Sequence, residues 1–131
     1  MTASPSFPVL RMGPIAREDL ARYAAASGDR NPLHLDAAAA RASGFPDVIV
    51  HGMLALAALA RVVTDAMPGG RLRSLDARFV EVTPVDSHLV CAVTEVAVAS
   101  GLVTVSLEAR RDDGAVTVRG EAIVDLGAAF R

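Results

Sequence analysis

The chain has one cysteine and no lysine among its 131 residues. A single thiol, Cys91, excludes an intrachain disulfide. It lies in an apolar run and reads as a small buried hydrophobe, not a nucleophile. All 13 cationic side chains are arginine, and the formal charge is only -2. That balance leaves no basic field for nucleic acid, and the arginine and alanine bias reads as codon usage. Residues 1–8 carry Ser and Pro but no basic segment or apolar stretch, so no leader is expected. The longest apolar run, 48–60, is broken by His51 and Gly52 and is shorter than the roughly 20 residues a membrane helix needs. A cytoplasmic protein without a membrane partner is therefore expected. No glycine-rich loop suggests a nucleotide, since Pro68-Gly69-Gly70 reads as a helix stop. The three histidines share no helix face or short motif, so neither a metal nor another cofactor is expected.

The length fits one domain, expected over 1–131, and 52% apolar residues supply its core. Residues 7–12 read as a short edge strand limited by Pro8 and Pro14. A helix is expected over 16–26, with Ile15, Leu20, Tyr23 and Ala24 on one face and Ser27-Gly28 as its stop. Asp36 has the character of an N-cap for a short helix over 37–43, ended by Gly44. The segment 52–67 is the strongest helix signal, and its polar positions are few enough to predict burial nearly all round. After Gly70 the period changes to two. Strands are expected over 71–82, 89–99, 102–110 and 116–124, with Asp112-Asp113-Gly114 as a hairpin turn. Helices first and antiparallel strands after make an α+β layout. A curved sheet wrapped around one long helix, the hot-dog architecture, gives both a place. One small sheet covers only one side of such a helix, so a second subunit joined edge to edge is expected, in a homodimer or a heterodimer.

The chemistry concentrates in Gly28-Asp29-Arg30-Asn31-Pro32-Leu33-His34. Pro32 disfavours one helix through this segment, so Asp29 and His34 sit on a shaped turn. Such a turn can aim a carboxylate and an imidazole at one small volume, which suits acid–base work on a shared water. Taken singly, Asp29 would be a turn cap and His34 a structural histidine. Gly52 opens the long helix, where backbone N–H groups lack partners and the macrodipole is positive. An N–H there can donate to a developing oxyanion.

The run from Tyr23 through Ser27, Asp29, Asn31-Pro32-Leu33-His34 to Asp36 resembles the signature of MaoC-like (R)-specific enoyl-CoA hydratases and 3-hydroxyacyl-thioester dehydratases. Val50-His51-Gly52-Met53 is similar to that family's second block, and Arg78-Phe79 with Pro84-Val85 to its strand-and-turn region. One departure is the turn Val85-Asp86-Ser87-His88, which lacks a glycine found in many members. An altered turn away from the site is expected there.

The resemblance implies water addition to, or removal from, an acyl thioester carried on CoA or acyl carrier protein, with no cofactor. It implies Asp29 as base, His34 sharing proton transfer and orienting the water, and the Gly52 N–H as oxyanion donor. Substrate contacts are expected from Asn31, Tyr23, Ser27 and Met53, with Asn31 supporting the loop and Ser27 and Tyr23 lining the acyl pocket. His51 is expected to brace the helix start without a catalytic role, and His88 to face solvent. Arg71, Arg73 and Arg78 read as solvated side chains or as phosphate contacts at a tunnel mouth. Two other readings are a thioesterase and a non-catalytic acyl-binding subunit of a hot-dog heterodimer.

Overall fold

The computed structural model describes residues 6–127. Positions 1–5, on which part of the leader expectation rests, lie outside the described residues, as do 128–131. In chain order come strand β1 (Leu10–Met12), helix α1 (Arg17–Ser27), helix α2 (Ala37–Ala42), helix α3 (Gly52–Ala66) and strands β2 (Arg71–Phe79), β3 (Leu89–Ala99), β4 (Leu102–Arg111) and β5 (Val116–Asp125). A single 3-10 turn, Pro32–His34, lies between α1 and α2. The five strands form one antiparallel sheet in the order β1-β3-β4-β5-β2, and α3 packs against it. This is the hot-dog fold.

Local chemistry accounts for the helix ends. The Ala16 N–H donates to the Asp19 carboxylate at 2.8 Å, which gives α1 one satisfied N-terminal donor. Gly28 ends α1 at φ 79°, a left-handed conformation suited to glycine, and its N–H donates to the Ala24 carbonyl at 2.9 Å. Asp36 caps α2 as expected, accepting from the Ala38 and Ala39 N–H groups at 2.9 and 3.3 Å.

Helix α3 holds the core together. Ala55, Ala58, Leu59, Val62 and Val63 are its buried residues, at the three- and four-residue spacing of one helical face. They share one core with alternate residues of β4 (Val103, Val105, Leu107 and Ala109), all buried. In the single chain Met53 and Ala57 are exposed, because one sheet covers a single side of the helix, the situation from which a second subunit is expected. Cys91 is fully buried, and loss of solvation pushes its thiol up to about 11, so it has the inert character expected of it.

Strand β2 ends three residues earlier than its sequence pattern suggests. Past Phe79, paired with Val118, the N–H groups of Val80 and Glu81 both donate to the Thr117 carbonyl, at 2.8 and 3.3 Å. One acceptor for two successive donors breaks the ladder, and the chain leaves the sheet. It then pairs with the approach to α3: the Val50 N–H donates to the Thr83 carbonyl at 2.8 Å and the Val85 N–H to the Val48 carbonyl at 3.2 Å. The following turn, without its glycine, holds Asp86 at φ 67°, and the Asp86 N–H donates to the Ile15 carbonyl at 2.8 Å. His88 is exposed, as expected. No helix among the described residues is long and apolar enough to cross a membrane.

Leu59 is fully buried at the centre of α3. Leu59→Ala is expected to cost about 2–5 kcal/mol of folding stability, read as an earlier urea midpoint with an unchanged slope.

Candidate active site

The loop between α1 and the 3-10 turn is shaped by its own polar side chains. Ser27 Oγ accepts the Asp29 N–H at 3.1 Å, and Asp29 Oδ1 accepts the Asn31 N–H at 3.3 Å. Asn31 Oδ1 accepts the Leu33 N–H at 3.0 Å and so caps the 3-10 turn, with Pro32 at its first position. These bonds carry the chain sharply from Asp29 to His34.

Two imidazoles then join this loop to the head of α3. The His34 Nδ1–H donates to the Ile49 carbonyl at 2.7 Å. The His51 Nε2–H donates to the Asp29 carbonyl at 3.1 Å. Since a carbonyl only accepts, each bond fixes a tautomer: neutral His34 keeps its lone pair on Nε2 and neutral His51 on Nδ1. The rings stack with centroids 3.9 Å apart and planes 24° apart. The Tyr23 ring meets His51 edge-on, at 4.8 Å and 61°. One polar atom from each of Asp29, His34 and His51 lies within 4.8 Å of the others.

Asp29 and His34 line a cavity of about 340 Å³ whose wall also includes Gly52, Met53, Val82 and Phe79. Gly52 is the first residue of α3, and His51 before it makes no side-chain cap, so the first turn presents N–H groups that the helix itself leaves unpaired. A Cβ on Gly52 would lie 2.9 Å from the Phe79 ring, so a larger residue here would have to displace that ring.

The structure therefore brings Asp29, His34, Gly52 and Met53 to one cavity, and places the other expected contacts off its wall. Ser27 and Asn31 have their oxygens turned to backbone N–H groups of the loop. Tyr23 lies against His51 and lines a separate cavity with Ile15 and Leu54. His51 sits at the helix start but braces the Asp29 loop, not the helix N–H groups. The sequence reading also held the histidines apart, whereas two of them stack beside Asp29.

Residues 5–115 match the family model described as "MaoC like domain". The chain belongs to the MaoC-like domain family. It is 32% identical over 112 residues to the (R)-specific enoyl-CoA hydratase of Aeromonas caviae, covering 82% of this chain and 84% of that protein. The crystal structure of an (R)-hydratase from A. caviae superposes with a TM-score of 0.81 at 30% identity, covering 96% of this chain and 98% of that one. One chain of the ChsH1–ChsH2 complex from Mycobacterium tuberculosis superposes with a TM-score of 0.85 at 25% identity, covering 97% of this chain and 100% of that one. Against the fatty acid synthase subunit beta of Aspergillus oryzae it is 35% identical over 112 residues but spans only 6% of that protein's length.

Electrostatics separate two acid windows. Burial pushes the His51 imidazole below its ordinary value, against the raising pull of its bond to the Asp29 carbonyl. Below about pH 6.5 the unfolded chain takes up a proton there that the native chain refuses, so stability falls as pH falls. Asp47, bonded through both oxygens to the Arg17 guanidinium, is held down to about 2. Its contribution is present above about pH 4 and is lost below that. Urea melts of His51→Gln should accordingly show a shallower loss of stability between about pH 6.5 and 5 than the parent chain, with the decline below about pH 4 retained.

Proposed function

We propose that the chain is a hydro-lyase that adds water to trans-2-enoyl thioesters with R stereochemistry, or removes it from (3R)-hydroxyacyl thioesters. The carrier is CoA or acyl carrier protein. The observation that carries this reading is the His34–Ile49 hydrogen bond. It commits the Nδ1 proton and leaves Nε2 as the acceptor of a ring that lines the same cavity as Asp29. One water donating to two acceptors at about 2.8 Å holds them roughly 4.5 Å apart, a separation permitted here, since one polar atom from each residue lies within 4.8 Å of the other. In hydration, Asp29 removes one proton as the water oxygen bonds to C3. A proton returns to C2 from the same pair, so both parts of water arrive on one face. The thioester oxygen takes up negative charge as the enolate forms, and the Gly52 N–H donates to it. Water, carboxylate, imidazole and an amide suffice, so the reading requires no cofactor. The A. caviae relative, which bears the name of an (R)-specific enoyl-CoA hydratase, supports the same chemistry.

Asp29→Asn and His34→Ala are each expected to lower hydration of crotonyl-CoA or a longer enoyl thioester by about 10²–10⁴-fold with circular dichroism unchanged. Near-full hydration by either variant overturns the assignment, and release of free thiol in place of hydration identifies a thioesterase.

The reading extends to a dimer acting in the cytoplasm. Strand β1 pairs only with Leu89, Val90 and Cys91 of β3. Beyond them Val96 and Val98 are 40% and 56% exposed, a level that suits cover by a second subunit. Sedimentation of the purified chain is expected to give twice its 13.6 kDa mass. A monomer that dimerises only with a different hot-dog chain would instead favour the heterodimer.

A further inference from the structure

His51 takes no part in the proton transfers above, yet it is one of only a few polar side chains buried among the described residues. It is 1% exposed, and its Nδ1 has no hydrogen-bond partner. Leaving such an atom buried is unfavourable, so a neutral aromatic ring of similar size would serve a purely structural role more cheaply. What distinguishes imidazole here is its other nitrogen. The Nε2–H reaches 22 residues back to the Asp29 carbonyl. Three groups face the ring: Asp29 from the loop, stacked His34 from the 3-10 turn and edge-on Tyr23 from α1. Against α3, the two catalytic candidates are held differently. His34 bonds to Ile49 through its own side chain, whereas Asp29 is tied by its backbone through His51.

We propose that His51 is a positioning residue: its Nε2–H, donating to the Asp29 carbonyl, fixes the Asp29 carboxylate relative to His34 and the Gly52 N–H. The inference rests on the hydratase reading for its kinetic consequence, while its structural claim can be read without turnover. Misplacing a reacting group by about 1 Å costs on the order of 10²-fold in rate. Loss of this one donor should therefore appear in kcat and leave KM, set mainly by the apolar cavity, little changed.

Two variants separate the hydrogen bond from the ring. His51→Phe keeps an aromatic ring in the stack and removes the donor. His51→Gln removes the ring and keeps an N–H near the Nε2 position. For His51→Phe, kcat for crotonyl-CoA hydration is expected to fall by about 10–100-fold with KM within about threefold. For His51→Gln, kcat should recover to within about fivefold of the parent. A merely structural His51 would leave kcat of folded His51→Phe near that of the parent, or impair both variants alike, and either result overturns the proposal. Nitrogen-15 NMR of the unaltered protein supplies the second readout. His51 is expected as the Nε2–H tautomer, still neutral below about pH 6.5 where a free imidazole titrates. A His51 that is found as the Nδ1–H tautomer, or that titrates as a free imidazole, sinks the proposal. If the parent chain shows no hydratase activity while the NMR result holds, the functional reading fails and the His51 link stands.

Discussion

Two hydrogen bonds from imidazole to carbonyl run crosswise between residues 29–34 and 49–51, and the site depends on them. His34 reaches forward to Ile49, and His51 reaches back to Asp29. The Ile49 N–H adds a third link by donating to the Leu33 carbonyl at 3.0 Å. The loop carrying Asp29 is exposed and has little packing of its own. It acquires a fixed place because its partners precede a helix whose far side lies in the core, with Leu59 and Val63 fully buried. The order of cause runs from apolar burial under the sheet, to the direction of α3, to His51 at its head, and from there to the carboxylate. Where a catalytic loop is this exposed, rigidity comes from such partners and not from the loop itself.

Much of the fold was legible because the hydrophobic period changes at Gly70 and because the helix stops are chemically explicit. Gly28 and Asp36 act where their residue types predict. In β4 the alternation from Val103 to Ala109 is the observed pattern of burial. The end of β2 was not legible. Val80 and Val82 continue an alternating apolar pattern, and nothing local shows that Val80 and Glu81 will share the Thr117 carbonyl. Their departure is a tertiary event, caused by pairing of Thr83 and Val85 with the approach to α3.

The site divides along the same line. Asp29, His34 and Gly52 were readable because each has local chemistry: a turn, a proline and a helix start. The cavity wall formed by Phe79, Val80 and Val82 carries no such signal, since apolar residues at a strand end read as core or edge. His51 was under-read for a different reason. Its separation of 17 residues from His34 says nothing about distance in space, and the 3.9 Å stack arises only when loop and helix head meet. Asn31 supports the loop as expected, by capping the 3-10 turn, while the bonds of Ser27 and the ring contact of Tyr23 lie with the loop and His51, away from the cavity wall.

The contact between Gly52 and Phe79 links two distant positions into one unit of substitution. With the ring of residue 79 in its present place, a side chain at 52 meets it at 2.9 Å, so substituting the glycine means moving the ring. Both residues border the same cavity. A lineage that trims residue 79 to admit a bulkier acyl chain would also release the glycine from its steric requirement, and one that adds a methyl group at 52 would have to move the ring. The room in this cavity and the residue at the helix head are thus coupled through one contact, and a change at either is felt at the other.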